Sequence, residues 1–332
     1  PCYFILTYMV LNLHMQKSKI LILGGAGYIG GYLTDLLAQN GYEVAVYDNL
    51  LYETRFLKNI KFIYGDVRDH EKLSSIINDF NIIIALAAIV GDEACAISPA
   101  VTRAVNVDSI KWLADNFKGK IIFASSCSVY GANNYILDEA ADLNPLSLYA
   151  ETKIESENII LNSPNGNGHL IFRFGTIFGA GDAYSRLRFD LVVNTLTMKA
   201  AVSEPLKIFG GGQWRPLIHV KDVAEGIAYA IQKNICGLYN LSYKNYMMKD
   251  IAEEIRKTPV GKEIKIEYTN VKFEDIRNYM VSSEKFQALG WQPKYTLSHG
   301  ISEIYKTISE GRIKEVSDPV YHNAAFIKSR VL

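Results

Sequence analysis

The segment Gly24-Gly25-Ala26-Gly27-Tyr28-Ile29-Gly30 follows directly on the apolar run Lys19-Ile20-Leu21-Ile22-Leu23, and nothing else in the 332 residues restricts the fold so tightly. A short apolar run ending in glycines reads as a buried parallel strand. Gly24 permits a tight turn with backbone angles other residues avoid. Gly27 leaves the backbone bare, so that a phosphate can approach, and Gly30 lets the following helix lie close to the strand. The N-terminus of that helix offers free N–H groups and the positive end of its dipole. Gly24, Gly27, Tyr28 and Ile29 are therefore the expected pyrophosphate contacts.

The next apolar run, Glu43 to Tyr47, ends at Asp48-Asn49, eighteen positions beyond Gly30. A carboxylate at that point accepts hydrogen bonds from both ribose hydroxyls of NAD and repels the 2′-phosphate of NADP, and no arginine follows immediately. NAD is the expected cofactor, with Asp48 and Asn49 at its ribose. Asp66-Val67, after the run Lys61-Phe62-Ile63-Tyr64, has a similar position, and Asp66 reads either as an adenine contact or as a simple strand-end turn residue.

Strand and helix patterns alternate as far as Gly175. Strands are expected at 81–85, 120–124 and 169–174, and helices at 32–39, 71–79, 101–117 and 149–161. Parallel neighbours require crossovers, so the fold class is α/β: a Rossmann-type doubly wound parallel sheet. Beyond Gly175 the rhythm breaks, apart from helical patterns at 221–232, 249–257 and 297–309. The expected division is a dinucleotide domain of residues 15–175 plus 214–240 and a smaller, interwoven substrate lobe of 176–213 plus 241–332. Residues 1–14 are apolar but lack the basic start and cleavage site of a signal peptide. With Met15 reading as a natural start, they are expected to be a non-native or disordered extension.

Charge narrows the partner. Thirty-five Lys and Arg balance 35 Asp and Glu, with no long basic run, which argues against nucleic-acid and acidic-membrane binding and for a small molecule met by local charge. No apolar run reaches the ~18 residues of a spanning helix. Cys2, Cys95, Cys127 and Cys236 are scattered without a CxxC, which suits a reducing cytoplasm and neither a disulfide framework nor a metal site.

Tyr149-Ala150-Glu151-Thr152-Lys153 puts a tyrosine and a lysine at i and i+4, on one helix face. Oxidising a secondary alcohol by hydride transfer requires its hydroxyl proton to leave as the hydride goes. A phenol with pKa near 10 becomes a useful base when a neighbouring ammonium favours phenolate. Ser125-Ser126-Cys127-Ser128-Val129-Tyr130-Gly131 follows the fifth strand, at the sheet edge where open α/β folds bind ligands. A serine hydroxyl there can hold the substrate oxygen beside Tyr149.

Taken together, these segments and Ala85-Leu86-Ala87-Ala88 resemble the extended short-chain dehydrogenase/reductases, within them the NAD-dependent nucleotide-sugar epimerase/dehydratase family, from Lys19 to about Gly311. The resemblance implies Ser126, Tyr149 and Lys153 as catalytic residues. It implies Leu86, Ala87, Ala88 and Asn106 near the cofactor, and Lys153 also on the nicotinamide ribose. Arg215, in Gln213-Trp214-Arg215-Pro216-Leu217-Ile218-His219, and Arg277 are similar to arginines that grip a nucleotide diphosphate, as the bidentate fork of arginine suits. A nucleotide-diphosphate sugar is the implied substrate, and a homodimer through the helices at 101–117 and 149–161 the implied assembly. His219 reads as structural.

Three departures from the family pattern bear on the reaction. Cys127 and Ser128 stand where dehydrating members carry Asp-Glu, which disfavours water loss, and Ser128 stands where decarboxylating members carry Glu. Thr176 replaces an asparagine often found after the sixth strand, and the basic stretch Arg186-Leu187-Arg188 precedes Asn194, making Thr176, Arg188 and Asn194 candidate substrate contacts. The leading expectation is an NAD-dependent epimerase acting at C4 through a transient 4-keto sugar. A C4 dehydrogenase or ketoreductase, a 4,6-dehydratase on the same scaffold and a non-catalytic NAD-binding subunit remain as alternatives.

Overall fold

A computed structural model describes residues 18–53, 55–269 and 277–331. The expected extension 1–14 lies outside the described residues. Seven parallel strands form the main sheet: β1 Lys19–Leu23, β2 Glu43–Asp48, β3 Lys61–Tyr64, β4 Ile82–Ala85, β5 Lys120–Ser126, β6 Leu170–Phe174 and β7 Gly237–Leu241. Their order across the sheet is β7-β6-β5-β4-β1-β2-β3. The chain winds outward from β1 in one direction and then in the other, which opens a crevice at the C-terminal ends of β1 and β4.

Alternation along each strand feeds two apolar layers. Ile20 and Ile22 of β1 face the helices Tyr28–Gln39 and Val220–Gln232, while Leu21 and Leu23 face the side covered by Ile110, Leu113 and Ile160. Both faces are dry, as a parallel sheet requires.

The expected helix 101–117 is interrupted. Residues Ala104–Asp108 form a π-helical turn between the short helix Pro99–Arg103 and the helix Ser109–Asn116. The cause is tertiary: the Asn106 side chain accepts a hydrogen bond from the Ile89 N–H at 2.8 Å and donates to the Ile89 carbonyl at 2.9 Å. The extra residue in the turn aims Asn106 at the loop leaving β4, as such bulges commonly do near ligand sites. The helix expected at 71–79 is likewise split, into His70–Ser74 and a 3₁₀ turn Ile77–Asp79.

The second lobe is woven from several segments. Trp214–His219 pairs with Thr176–Phe178 and with Lys244–Met247, so this strand, expected in the dinucleotide domain, lies in a separate small sheet. Only the helix Val220–Gln232 and β7, from the expected 214–240 portion, join the large sheet. Phe178, Leu196, Leu217, Ile251 and Ile301 form the core of the lobe. A C-terminal helix, Asn323–Val331, packs back on the helix Asp92–Ile97 beside the crevice. No helix among the described residues is long and apolar enough to cross a membrane.

Candidate active site

The glycine turn is shaped by two close approaches and one open position. Gly24 has φ +82°, and a Cβ there would stand 2.6 Å from the Ala87 backbone nitrogen. A Cβ on Gly30 would meet Gly25 Cα at 2.5 Å, so the helix lies directly on the turn. At Gly27 the position of a Cβ is open, with only the Gly24 carbonyl at 3.4 Å, and no side chain caps the helix that starts there. The bare first-turn amides therefore face open space, an anion cradle of the kind a pyrophosphate fills.

A cavity of about 290 Å³ begins at this cradle and is lined by Gly27, Asp48, Asn49, Asp66, Ala87 and Arg188, among others. Asp48 accepts hydrogen bonds from the Ala26 N–H at 3.0 Å and the Leu50 N–H at 2.8 Å. Burial raises its pKa, and those two amides oppose the rise. Asp66 is gripped by the Arg68 guanidinium through both oxygens, at 2.8 Å each, and accepts from the Asn49 amide at 3.0 Å. The fork of Arg68 holds its carboxyl down at about 2. Leu86, Ala88, Val67, Tyr28 and Ile29 complete that wall. The residues present fit a dinucleotide with an unphosphorylated ribose.

At the end of β5, the Ser126 hydroxyl accepts from the Ser128 N–H at 3.1 Å and from the Ser128 hydroxyl at 2.9 Å. Ser126 is also near enough to the Tyr149 phenol to pull its pKa down. Tyr149 sits in the first turn of the helix Leu148–Leu161, which Ser147 caps through the Ala150 N–H. The Lys153 ammonium lies 5.7 Å from the Tyr149 ring centroid, 4.8 Å from the Phe123 ring centroid, and donates to the Ala124 carbonyl at 2.7 Å. Ser126, Tyr149 and Lys153 are thus brought together at one sheet edge.

The electrostatics differ from the simple expectation. Burial pushes the Tyr149 phenol up, Cys95 adds to the rise, and the Arg188 guanidinium and Ser126 pull it down. Burial lowers Lys153 to about 8. Arg188, the cation that pulls the phenol down, is buried and forked onto Asp190 at 3.0 and 2.9 Å. In the sequence, the basic stretch Arg186-Leu187-Arg188 marks the position, but as a candidate substrate contact rather than as a partner of Tyr149.

Other candidates have different places. Asn106 is absorbed by Ile89 and reaches the Thr152 hydroxyl at 3.4 Å, so it shapes the loop under the cofactor cavity rather than lining it. Asn194 is fully buried: its oxygen accepts from the Gly179 N–H, and its amide donates to the Arg188 and Gly179 carbonyls and the Tyr28 hydroxyl. With its hydrogen bonds made inside the protein, Asn194 anchors the loop that carries Arg188. Thr176 lies on a strand paired with Leu217 and does not line the cavity. Arg215 donates to the Arg277 carbonyl at 2.5 Å, and Arg277 pairs with Asp92 at 3.0 Å, which places these two arginines side by side. His219 is enclosed, bonded to Glu303 at 2.9 Å, and caps the helix Val220–Gln232 through the Lys221 N–H.

Sequence reasoning passed over a buried network beneath β5. Arg173 of β6 forks onto Glu157 and donates to the Tyr130 hydroxyl at 2.9 Å, and the Ser125 hydroxyl donates to Glu157. The signal was an arginine inside the otherwise apolar strand Leu170-Ile171-Phe172-Arg173-Phe174, which must find a carboxylate to be buried at all.

Comparison with known proteins agrees with this geometry. Residues 20–242 match the model of the NAD dependent epimerase/dehydratase family. A UDP-glucose 4-epimerase of Halalkalibacterium halodurans is 30% identical over 83% of this chain and 91% of its own length. A protein of Methanocaldococcus jannaschii named as a putative UDP-glucose 4-epimerase is 29% identical over 86% of this chain and 96% of its own. The crystal structure of a Bacillus cereus UDP-glucuronic acid 4-epimerase, in complex with UDP-glucuronic acid and NAD, has 25% identity and a TM-score of 0.76 over 88% of this chain and 99% of that one. A glycine cradle with an acid at the end of β2, a serine–tyrosine–lysine cluster at the end of β5 and a family match over 20–242 lead to one assignment: the chain is an NAD-using enzyme and belongs to the NAD dependent epimerase/dehydratase family.

Proposed function

We propose that this enzyme is a nucleotide-sugar 4-epimerase working through a transient 4-keto sugar. The observation that carries the reading is the gathering of Ser126, Tyr149 and Lys153 at the end of β5, with the Lys153 ammonium 5.7 Å from the Tyr149 ring and bonded to the Ala124 carbonyl two residues before Ser126. NAD, held at the glycine cradle, would supply the hydride acceptor and donor. The chain's own groups handle the proton. Ser126 holds the C4 oxygen, and Tyr149 takes its proton as the bond to oxygen becomes a carbonyl. The same phenol gives the proton back after the sugar has turned over. Lys153 and Arg188 supply the positive surroundings in which a phenolate can form.

Arg215 and Arg277 are proposed to grip the diphosphate of the substrate, which keeps the nucleotide fixed while the ketosugar rotates. UDP-sugars lead the candidates because the relatives named above act on them. No acid stands at Cys127 or Ser128, and the Ser128 hydroxyl is committed to Ser126, so the residues next to Ser126 offer no acid to eliminate water. The further proposals are a homodimer through the outer faces of helices Ser109–Asn116 and Leu148–Leu161, and a cytoplasmic location, which suits the free thiols Cys95, Cys127 and Cys236.

A panel of UDP-, dTDP- and GDP-sugars followed by mass spectrometry and NMR tests the reaction. The expected product is a C4 epimer of unchanged mass. Loss of eighteen mass units would mean dehydration, and stoichiometric NADH release without an epimer would mean a dehydrogenase. Either outcome removes the proposal.

A further inference from the structure

One side of the dinucleotide cavity is built by residues outside the family's matched region, which ends at 242. Asn323, Ile327 and Arg330 of the C-terminal helix line the same cavity as Gly27 and Asp48. Arg186 ties this helix down. Its guanidinium lies 3.8 Å from the Tyr52 ring centroid, donates to the Val320 carbonyl at 2.5 Å and to the Asn323 side-chain oxygen. Asn323 in turn donates to the Val90 carbonyl at 2.8 Å, on the loop leaving β4. Phe326 packs on Tyr52 at 5.0 Å.

Arg186 is 8% exposed, yet among the described residues its guanidinium bonds only neutral oxygens. Arg188, two positions on, has a carboxylate fork instead. Glu53, which takes the Arg186 backbone N–H, and Asp190 are the carboxylates that act on this guanidinium, and neither is hydrogen-bonded to it; a buried guanidinium with no carboxylate fork is unfavourable by itself. An anion arriving in the cavity that it lines would relieve that cost. The anion must be one that also fits the bare amides of the helix Tyr28–Gln39, namely the diphosphate of the dinucleotide.

We infer that Arg186 and the C-terminal helix Asn323–Val331 form an outer wall of the dinucleotide site, so that NAD leaves only when this helix lifts. The inference rests on NAD occupying the cavity and is independent of which sugar is turned over. Holding the cofactor behind a wall suits a reaction in which the same nicotinamide must receive and return one hydride.

The test is exchange of labelled NAD out of the purified holoenzyme into excess unlabelled NAD, with no sugar present. Arg186→Gln and Asn323→Ala are expected to speed release at least ~10-fold, and a chain truncated after Ser317 to speed it further. Tyr229→Phe, which removes a hydrogen bond to the Leu289 carbonyl far from the cavity, is expected to release NAD at the wild-type rate. Should the truncated chain fail to fold, the two point variants, checked by circular dichroism, decide. Release from both variants at the wild-type rate, or Tyr229→Phe releasing as fast as they do, overturns the inference. Because no substrate is used, a failed epimerase assay leaves this result interpretable.

Discussion

Glu157→Ala provides a sharp test of what holds the catalytic edge in place. The Glu157 and Arg173 side chains are 2% and 5% exposed, and Arg173 reaches the carboxylate with Nε at 3.0 and 3.2 Å and Nη2 at 2.7 Å. Removing one member leaves a guanidinium with no carboxylate in the core, at a cost of about 3–5 kcal/mol. The Ser125 hydroxyl also loses its acceptor, worth roughly 1 kcal/mol. Against a total stability of about 5–15 kcal/mol, that is a large fraction. With a urea m-value of about 3 kcal/mol/M, the unfolding midpoint should fall by about 1–2 M. The double variant Glu157→Met with Arg173→Met removes both charges and should recover most of the loss, because well-packed apolar pairs replace buried ion pairs at little cost. Urea titrations of the two single variants and the double variant, followed by circular dichroism, give the cycle. A single variant costing less than about 1 kcal/mol, or a double variant as unstable as the sum of the singles, would refute the reasoning.

Further expectations follow from named contacts. Gly24→Ala must hold a side chain at φ +82° and 2.6 Å from the Ala87 nitrogen, so it should lose NAD binding by calorimetry and at least ~1–2 kcal/mol of stability. Glu53 is raised by burial to about 7, so the folded state holds a proton that the unfolded state releases near 4.5. Its contribution therefore becomes unfavourable as pH rises from about 4.5 to 7, and Glu53→Gln should gain roughly 1–2 kcal/mol at pH 8 and nothing at pH 4 in urea titrations. Cys127 is buried, its thiol pushed up by burial and donating to the Arg173 carbonyl, so iodoacetamide should leave it unmodified in the native protein by peptide mass mapping, and activity intact.

Much of the dinucleotide half was legible because its signals are local. Glycines at a strand end, an acid at the next strand end and apolar runs of strand length carry their meaning within a few residues, and β1 to β6 and the cradle follow from them. β7 was missed because Gly-Leu-Tyr-Asn-Leu offers no apolar run; Asn240 is buried there by bonds to Tyr130 and Ser282. The π-turn at Ala104–Asp108 was invisible since it depends on Ile89, seventeen residues away. Asn194 was read as a substrate contact, but an amide in an apolar helix is as well explained by a buried anchor, and its bonds to Gly179 and Arg188 make it one. The C-terminal helix has little amphipathic pattern of its own and is defined by Arg186, more than 130 residues earlier.

The most direct test of the account is Tyr149→Phe, which deletes only the phenolic oxygen near Ser126. Turnover on the preferred nucleotide sugar should drop by about 10²–10⁴, the scale of a lost general base, with bound NAD and thermal stability held at wild-type values. A variant that keeps its turnover within about tenfold of wild type would contradict the assignment of the proton to this phenol.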